Sequence, residues 1–245
     1  MRTLKLLSAI ADIIVPHTCP LCAVVGYSVG FCSACSVEFT PPASPHCDRC
    51  QTPFTGTIHS KNLCSLCIKE AKKISRSFST ARSACVYDGN IRKAITRFKY
   101  HNQTEFSLPL ALLTQSLVSS LANASADVII MPVPLHKRRL KKRGFNQSLM
   151  LARRLSKSLS LSLDYKTLMR VRDTTPQVEL TPKERVENVK NAFGVTNAAA
   201  IKDKKIIIID DVYTTGATLS ESAKELMSAG ASDVIAVTVA RTALV

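Results

Sequence analysis

The rhythm of apolar and polar positions changes near residue 75. Before it, the opening segment MRTLKLLSAIADIIVP sets Leu4, Leu7, Ile10 and Ile14 on one helical face; cysteines and prolines then govern the spacing. After it, short β-rich runs alternate with runs of helical period. STARSACVYDG predicts a strand entering a turn at Asp88–Gly89. NIRKAITRFKYHN predicts a helix with Ile91, Ile95 and Phe98 on an apolar face and basic residues opposite. FSLPLALLTQSLVSSLA predicts a second helix, DVIIMPVP a buried strand stopped by proline, and NQSLMLARRLSKSLS a helix capped by Asn146. KKIIIIDD predicts a buried strand, ATLSESAKELMSAG a helix closed by Gly230, and SDVIAVTVAR a final strand. Strands separated by helices predict an α/β fold, a parallel sheet with right-handed crossovers.

Ligands of such sheets sit at the carboxyl ends of the strands. The stretch KKIIIIDDVYTTGAT runs four isoleucines directly into Asp210 and Asp211. Adjacent carboxylates repel, so the pair calls for a group that binds both, such as sugar hydroxyls or a metal. Thr214, Thr215, Gly216, Ala217 and Thr218 follow as a turn into a helix. There backbone N–H groups, threonine hydroxyls and the helix dipole favour a phosphate, and Gly216 allows the backbone to approach closely. Acids for sugar hydroxyls beside an amide nest for phosphate describe a ribose 5-phosphate.

Composition narrows the picture. The chain of 245 residues suits one and a half to two domains. Its core is aliphatic, with 46% hydrophobic residues and no tryptophan. Of nine cysteines, eight form C-x-x-C pairs: Cys19/Cys22, Cys32/Cys35, Cys47/Cys50 and Cys64/Cys67. Two such turns make a four-thiolate tetrahedral site, the geometry zinc accepts. The spacing favours two consecutive structural zinc ribbons over a nested pairing, with His46 and His59 as bystanders. Disulfides would imply secretion, which nothing else in the sequence supports. Cys85 is left as a small buried hydrophobe. The expected organisation is an amphipathic helix over 1–16, a zinc-ribbon segment over 17–72 and an α/β domain over 75–245. No apolar run reaches the ~20 residues of a transmembrane helix, so a cytoplasmic protein is expected.

The net charge of +15 is concentrated: residues 71–205 carry 26 basic and nine acidic side chains, while 206–245 carry two and five. A polyanion or a phosphorylated small molecule is the expected partner of such a balance. HKRRLKKRGFNQ alone holds six cations between Lys137 and Arg143.

The stretch IIIIDDVYTTGAT resembles the 5-phosphoribosyl-1-pyrophosphate (PRPP) motif of type I phosphoribosyltransferases, with Tyr213 where an aliphatic residue is usual. Together with four C-x-x-C pairs, VPLHKRRLKKRGFNQ and TPQVELTPKERVENVKNAF, the chain is similar to the ComF family of DNA-uptake competence proteins. That resemblance implies a phosphoribosyltransferase-like sheet behind the zinc ribbons. It further implies PRPP, accompanied by Mg²⁺, held by Asp210, Asp211 and the 214–218 turn, with Arg143 and Gly144, on a loop after the DVIIMPVP strand, at the pyrophosphate together with Arg185. The 172–191 segment then reads as a mobile loop closing over PRPP, with Arg185 and Asn188 as lid residues. Lys137, Arg138, Arg139, Lys141 and Lys142 exceed what one pyrophosphate needs and point to single-stranded DNA phosphates. RFKYH, with alternating basic and aromatic residues, suits a DNA groove, although Phe98 fits the core. The implied role is natural transformation beside a translocation helicase or membrane channel, which brings in the inner face of the membrane as a location. The alternative is an active phosphoribosyltransferase, with Asp210 and Asp211 as its catalytic acids, moving ribose 5-phosphate to a nucleobase or other acceptor. A third reading keeps the PRPP pocket as a non-catalytic switch.

Overall fold

The structure, a computed structural model, describes residues 18–25, 30–54, 62–65, 67–68, 78–100, 103–123, 127–175 and 180–242. The expected helix over 1–16, His59 and His101 lie outside the described residues. The α/β part runs β1 (Thr80–Val86), α1 (Gly89–Tyr100), α2 (Ser107–Ala122), β2 (Val128–Pro132), α3 (Lys137–Arg143), α4 (Gln147–Leu159) and β3 (Ser162–Leu163). It continues through β4 (Leu168–Arg170), α5 (Pro182–Val189), β5 (Phe193–Val195), β6 (Lys205–Tyr213) and α6 (Ala217–Ser228) to β7 (Asp233–Arg241). Five strands form one sheet in the order β1-β7-β6-β2-β3, and every pairing within it is parallel.

The isoleucine run of β6 is continuous because both faces of the sheet are covered. Ile207 and Ile209 join Ile91, Ile95, Phe98, Leu110 and Leu151 on one face. Ile206 and Ile208 join Leu219, Ala223 and Leu226 on the other. Each fully buried isoleucine contributes about 1.5–3 kcal/mol, which anchors β6 as the middle strand.

Two segments differ from expectation. The HKRRLKKRG stretch is not a loop: it forms helix α3, closed by Gly144 in the left-handed region (φ 83°). The 172–191 segment is not all loop either. Thr181 and Glu184 form a reciprocal capping box that starts α5, while β4 and β5 pair as a separate antiparallel ribbon.

The cysteine segment covers the outer edge of β1, which would otherwise present unpaired backbone groups. The Ala81 amide donates to Arg49 O (2.6 Å), and the Val86 amide to Thr40 O (2.8 Å). The Ser83 amide donates to Gln51 Oε1 (2.7 Å). Arg241, at the end of β7 and 1% exposed, donates to the Cys50 carbonyl and to Thr52 Oγ1. Its guanidinium also lies 5.1 Å from the centroid of the Tyr213 ring. We expect Arg241→Leu, which leaves Cys50 O and Thr52 Oγ1 without this donor, to cost about 2–4 kcal/mol in urea unfolding. Hydrogen exchange should also quicken at the Ala81 and Ser83 amides; unchanged exchange there would separate the ribbon's hold on the edge strand from Arg241.

Candidate functional site

The site forms where β6 loses a neighbour. β2 pairs with β6 only as far as Pro132–Ile209, followed by one bond from Val133 N to Ile209 O (3.0 Å). Among the described residues, Asp210, Val212 and Tyr213 pair with β7 alone, leaving one side of the strand open. The start of α4 fills part of that side. Gly144 turns the chain out of α3, and Asn146 then caps α4 by accepting from the Ser148 and Leu149 amides. The Asn146 side chain also donates to Val133 O (3.0 Å), which ties the cap to the end of β2. Ser148, in the first turn, thereby reaches Asp210: its hydroxyl donates to Asp210 Oδ1 at 2.8 Å, beside the Asp211 amide at 3.0 Å.

Asp210, Thr214, Gly216, Ala217 and Thr218 line one cleft, so the expected acid and the expected phosphate turn do meet. Gly216 caps α6 with φ 76°, and a Cβ there would come within 2.4 Å of the Tyr213 hydroxyl oxygen. Both the backbone angle and the space therefore require glycine. Thr215 Oγ1 accepts from the Ala217 amide (3.4 Å). The cleft's volume is about 20 Å³, roughly one water, so a sugar would lie over its open side. A more open groove of about 530 Å³ runs along α1, lined by Asp88, Gly89, Arg92, Lys93, Thr96 and Arg97.

Asp211 does not join the cleft lining. It is 3% exposed, and its Oδ1 is paired at 2.8 Å with Lys99 Nζ from α1, whose side chain is 19% exposed. Its Oδ2 is buried without a partner among the described residues. Sequence reasoning passed over Lys99, although its signal was present: 91, 95 and 99 fall on one helical stripe. A cation continuing an apolar stripe needs an acid to meet it. Burial lowers the proton affinity of Lys99, but Asp211, with Asp210 and Tyr87 adding to it, offsets this and holds it above the ordinary lysine value. Burial first, then the Asp211 charge, raises the Asp210 carboxyl to about 6 against the opposing pull of Lys99 and Ser148.

The remaining candidates are spread around this centre. Arg143 donates to Gln147 Oε1 (2.6 Å) and stacks 5.4 Å from the Tyr100 ring centroid. Neither Arg143 nor Arg185 lines the cleft; Arg185 donates Nε to Leu180 O (3.1 Å). Asn188 exchanges two hydrogen bonds with the Thr175 backbone, closing the base of the expected lid segment. On α3, Lys137, Arg138, Lys141 and Lys142 are exposed, while Arg139 is half-buried and donates to Thr174 O (2.5 Å). His136 and Arg138 both approach Asp173, so α3 is lashed to the segment after β4. At the end of β4, Arg170 is buried against Phe193; burial, then Arg139, lowers its guanidinium to about 10.

The cysteines assemble as two sets, Cys19, Cys22, Cys32 and Cys35, then Cys47, Cys50, Cys64 and Cys67, with all four sulfurs of each set within 4.8 Å of one another. The sequential pairing therefore holds. The Cys32 and Cys64 amides donate to Cys19 and Cys47 sulfur, as suits thiolates, and the donor set fits a closed structural zinc site. Cys85 is buried in the sheet core, and burial raises its thiol to about 11. Among the described residues, no helix is long and apolar enough to cross a membrane.

Comparison with known proteins agrees with this layout. Residues 10–68 match the Double zinc ribbon domain and residues 146–243 the Phosphoribosyl transferase domain. The chain is 31% identical over 226 residues to the DNA utilization protein YhgH of Escherichia coli K12, covering 90% of this chain and 95% of the relative. It is 28% identical over 209 residues to Competence protein F of Haemophilus influenzae, covering 84% and 87%. With Competence protein ComFC of Bacillus subtilis the identity is 27% over 205 residues, covering 81% and 78%.

The Asp210 carboxyl should titrate with a midpoint near 6 by ¹³C NMR. Because its folded value lies above the ordinary 3.8, the folded state takes up a proton between the two. The group thus favours folding as pH falls through that window and opposes it above. Ser148→Ala removes a donor to the charged form and should move the midpoint higher; a downward move would mean that the hydroxyl does not support the carboxylate.

Proposed function

The chain belongs to the ComF family, a double zinc ribbon joined to a phosphoribosyltransferase domain, and from that membership we propose a DNA-uptake protein that binds PRPP at the β6–α6 rim and single-stranded DNA on α3. The observation that carries the PRPP reading is the shared cleft of Asp210 and the Gly216–Thr218 turn. Asp210 Oδ1 is already taken by Ser148, so its other oxygen is the acceptor for a ribose hydroxyl. The first amides of α6 face the 5-phosphate, where the helix dipole stabilises an anion. Mg²⁺ arriving with PRPP supplies charge balance for the pyrophosphate. Gly144 and Arg143, at the C-terminal end of α3, face that end of the ligand once Arg143 releases Gln147.

The exposed Lys137, Arg138, Lys141 and Lys142 form the surface for nucleic-acid phosphates. Their attachment to the site is mechanical: α3 ends at Gly144, two residues before the cap of the helix that carries Ser148. DNA on α3 and PRPP beside Ser148 thus share one short connection. The expected setting is the cytoplasm, at the inner face of the membrane, beside the helicase or channel of the uptake machinery.

Three measurements test this reading. Asp210→Ala with Asp211→Ala should abolish PRPP binding by calorimetry while circular dichroism keeps its folded form; unchanged affinity would remove the ligand. Single-stranded DNA binding should weaken steeply with salt, and the slope should shrink when Lys137, Lys141 and Lys142 become glutamine. A slope unaffected by those changes would move DNA off α3. Pyrophosphate released from PRPP and Mg²⁺ on adding a nucleobase would favour the transferase alternative. Release on adding DNA would make the uptake protein itself an enzyme.

A further inference from the structure

Asp210 and Asp211 are neighbours on one strand, both ionisable, and the strand around them is buried. Two such charges without a counter-ion would be strongly disfavoured. In the described structure the counter-ion is part of the chain. Lys99 leaves the apolar stripe of α1 directly after Phe98, which is 0% exposed, and ends 2.8 Å from Asp211 Oδ1. Its charge also acts on Asp210. The neighbouring residue Tyr100 stacks with Arg143, so the last turn of α1 touches both the acid pair and the candidate pyrophosphate residue. That turn lies outside both stretches that match known domains, 10–68 and 146–243.

We propose that Lys99 is the resident cation of the acid pair, taking the place beside Asp211 that a divalent metal would otherwise occupy, and that it holds Asp211 in place behind Asp210, the acid of the pair that lines the cleft and accepts the sugar hydroxyl. The inference rests on the PRPP reading for the identity of the sugar, but not for the role of the ammonium. With Lys99 charged, the three groups sum to −1, too little to draw a bare divalent ion from water to this point. Metal then enters only with a ligand that brings its own phosphates. Lys99 is a positioning residue here: it acts on the ligand through the acid pair, of which Asp210 faces the cleft.

The decisive probe is Mn²⁺ alone, without PRPP, followed by electron paramagnetic resonance on the zinc-loaded full chain. Wild type should bind Mn²⁺ only weakly at the acid pair. Lys99→Met removes the ammonium and should tighten Mn²⁺ binding at least about tenfold, given the size of a unit charge at contact distance even in a high-dielectric setting. Lys99→Arg should restore the weak binding, and Lys99→Met with Asp211→Asn should abolish the gain. Equal Mn²⁺ affinity in wild type and Lys99→Met would overturn the proposal, whatever PRPP does. Should Lys99→Met fail to fold, the double variant decides. A folded double variant assigns Lys99 to balancing Asp211 and supports the proposal; an unfolded one assigns Lys99 to packing and overturns it. Loss of PRPP binding in Lys99→Met alongside a gain in Mn²⁺ would support both readings. A gain in Mn²⁺ in a protein that never binds PRPP would keep the cation and discard the sugar.

Discussion

Placing two carboxylates side by side on a strand buried on both faces is electrostatically costly, and the surrounding elements are arranged to offset that cost. α1 supplies an ammonium, α4 a hydroxyl, and β2 stops one residue short of the acids so that they are not sealed under a third strand. The offset is incomplete. Asp210 keeps a carboxyl that holds its proton to about pH 6, and Asp211 keeps one oxygen without a partner among the described residues. A group that arrives with hydroxyls to donate finds the cleft-lining Asp210 carboxylate already desolvated and oriented, which is the condition for a polar contact to be worth more than it would be in water.

Most of the scaffold was legible in the sequence because both its periods and its stops were strong. The four isoleucines, the Asn146 cap and Gly230 each have one dominant physical meaning, and each element lies where it implies. The misreadings fall where that meaning is divided. In HKRRLKKRG only Leu140 is apolar, so no helical face shows, yet Gly144 after a basic last turn is itself a helix stop. The box of Thr181 and Glu184 in TPKE was equally visible, but α5 has no apolar stripe to accompany it. Within the site, the turn and Asp210 follow from local pattern. The split between Asp210 and Asp211 does not, since it depends on Lys99, over a hundred positions away in the chain. Arg241 is the extreme case: nothing around it marks a fully buried arginine at the end of the last strand.

Tyr213, the departure from the usual aliphatic residue in the motif, acquires a reason from that arginine. Its ring faces the Arg241 guanidinium on one side and Phe78 on another, and its hydroxyl occupies the space beside Gly216. An aliphatic side chain would have neither the reach nor the negative ring face that a cation prefers. The turn that carries the amides and the knuckle that carries Cys50 are therefore braced through two side chains, and the cysteine segment forms part of the wall of the α/β unit.

Among the described residues β1 pairs with β7 alone, across some 155 positions of chain, Thr80 lying beside Ile235, and the arginine that locks Cys50 belongs to that same distant strand. Contacts of such separation form late, because the intervening chain must first be closed into a loop. During synthesis the ribbons can load metal and settle against β1 while its inner edge still lacks a neighbour. An early strand is finished by a late one: only when β7 leaves the ribosome can β1 be enclosed.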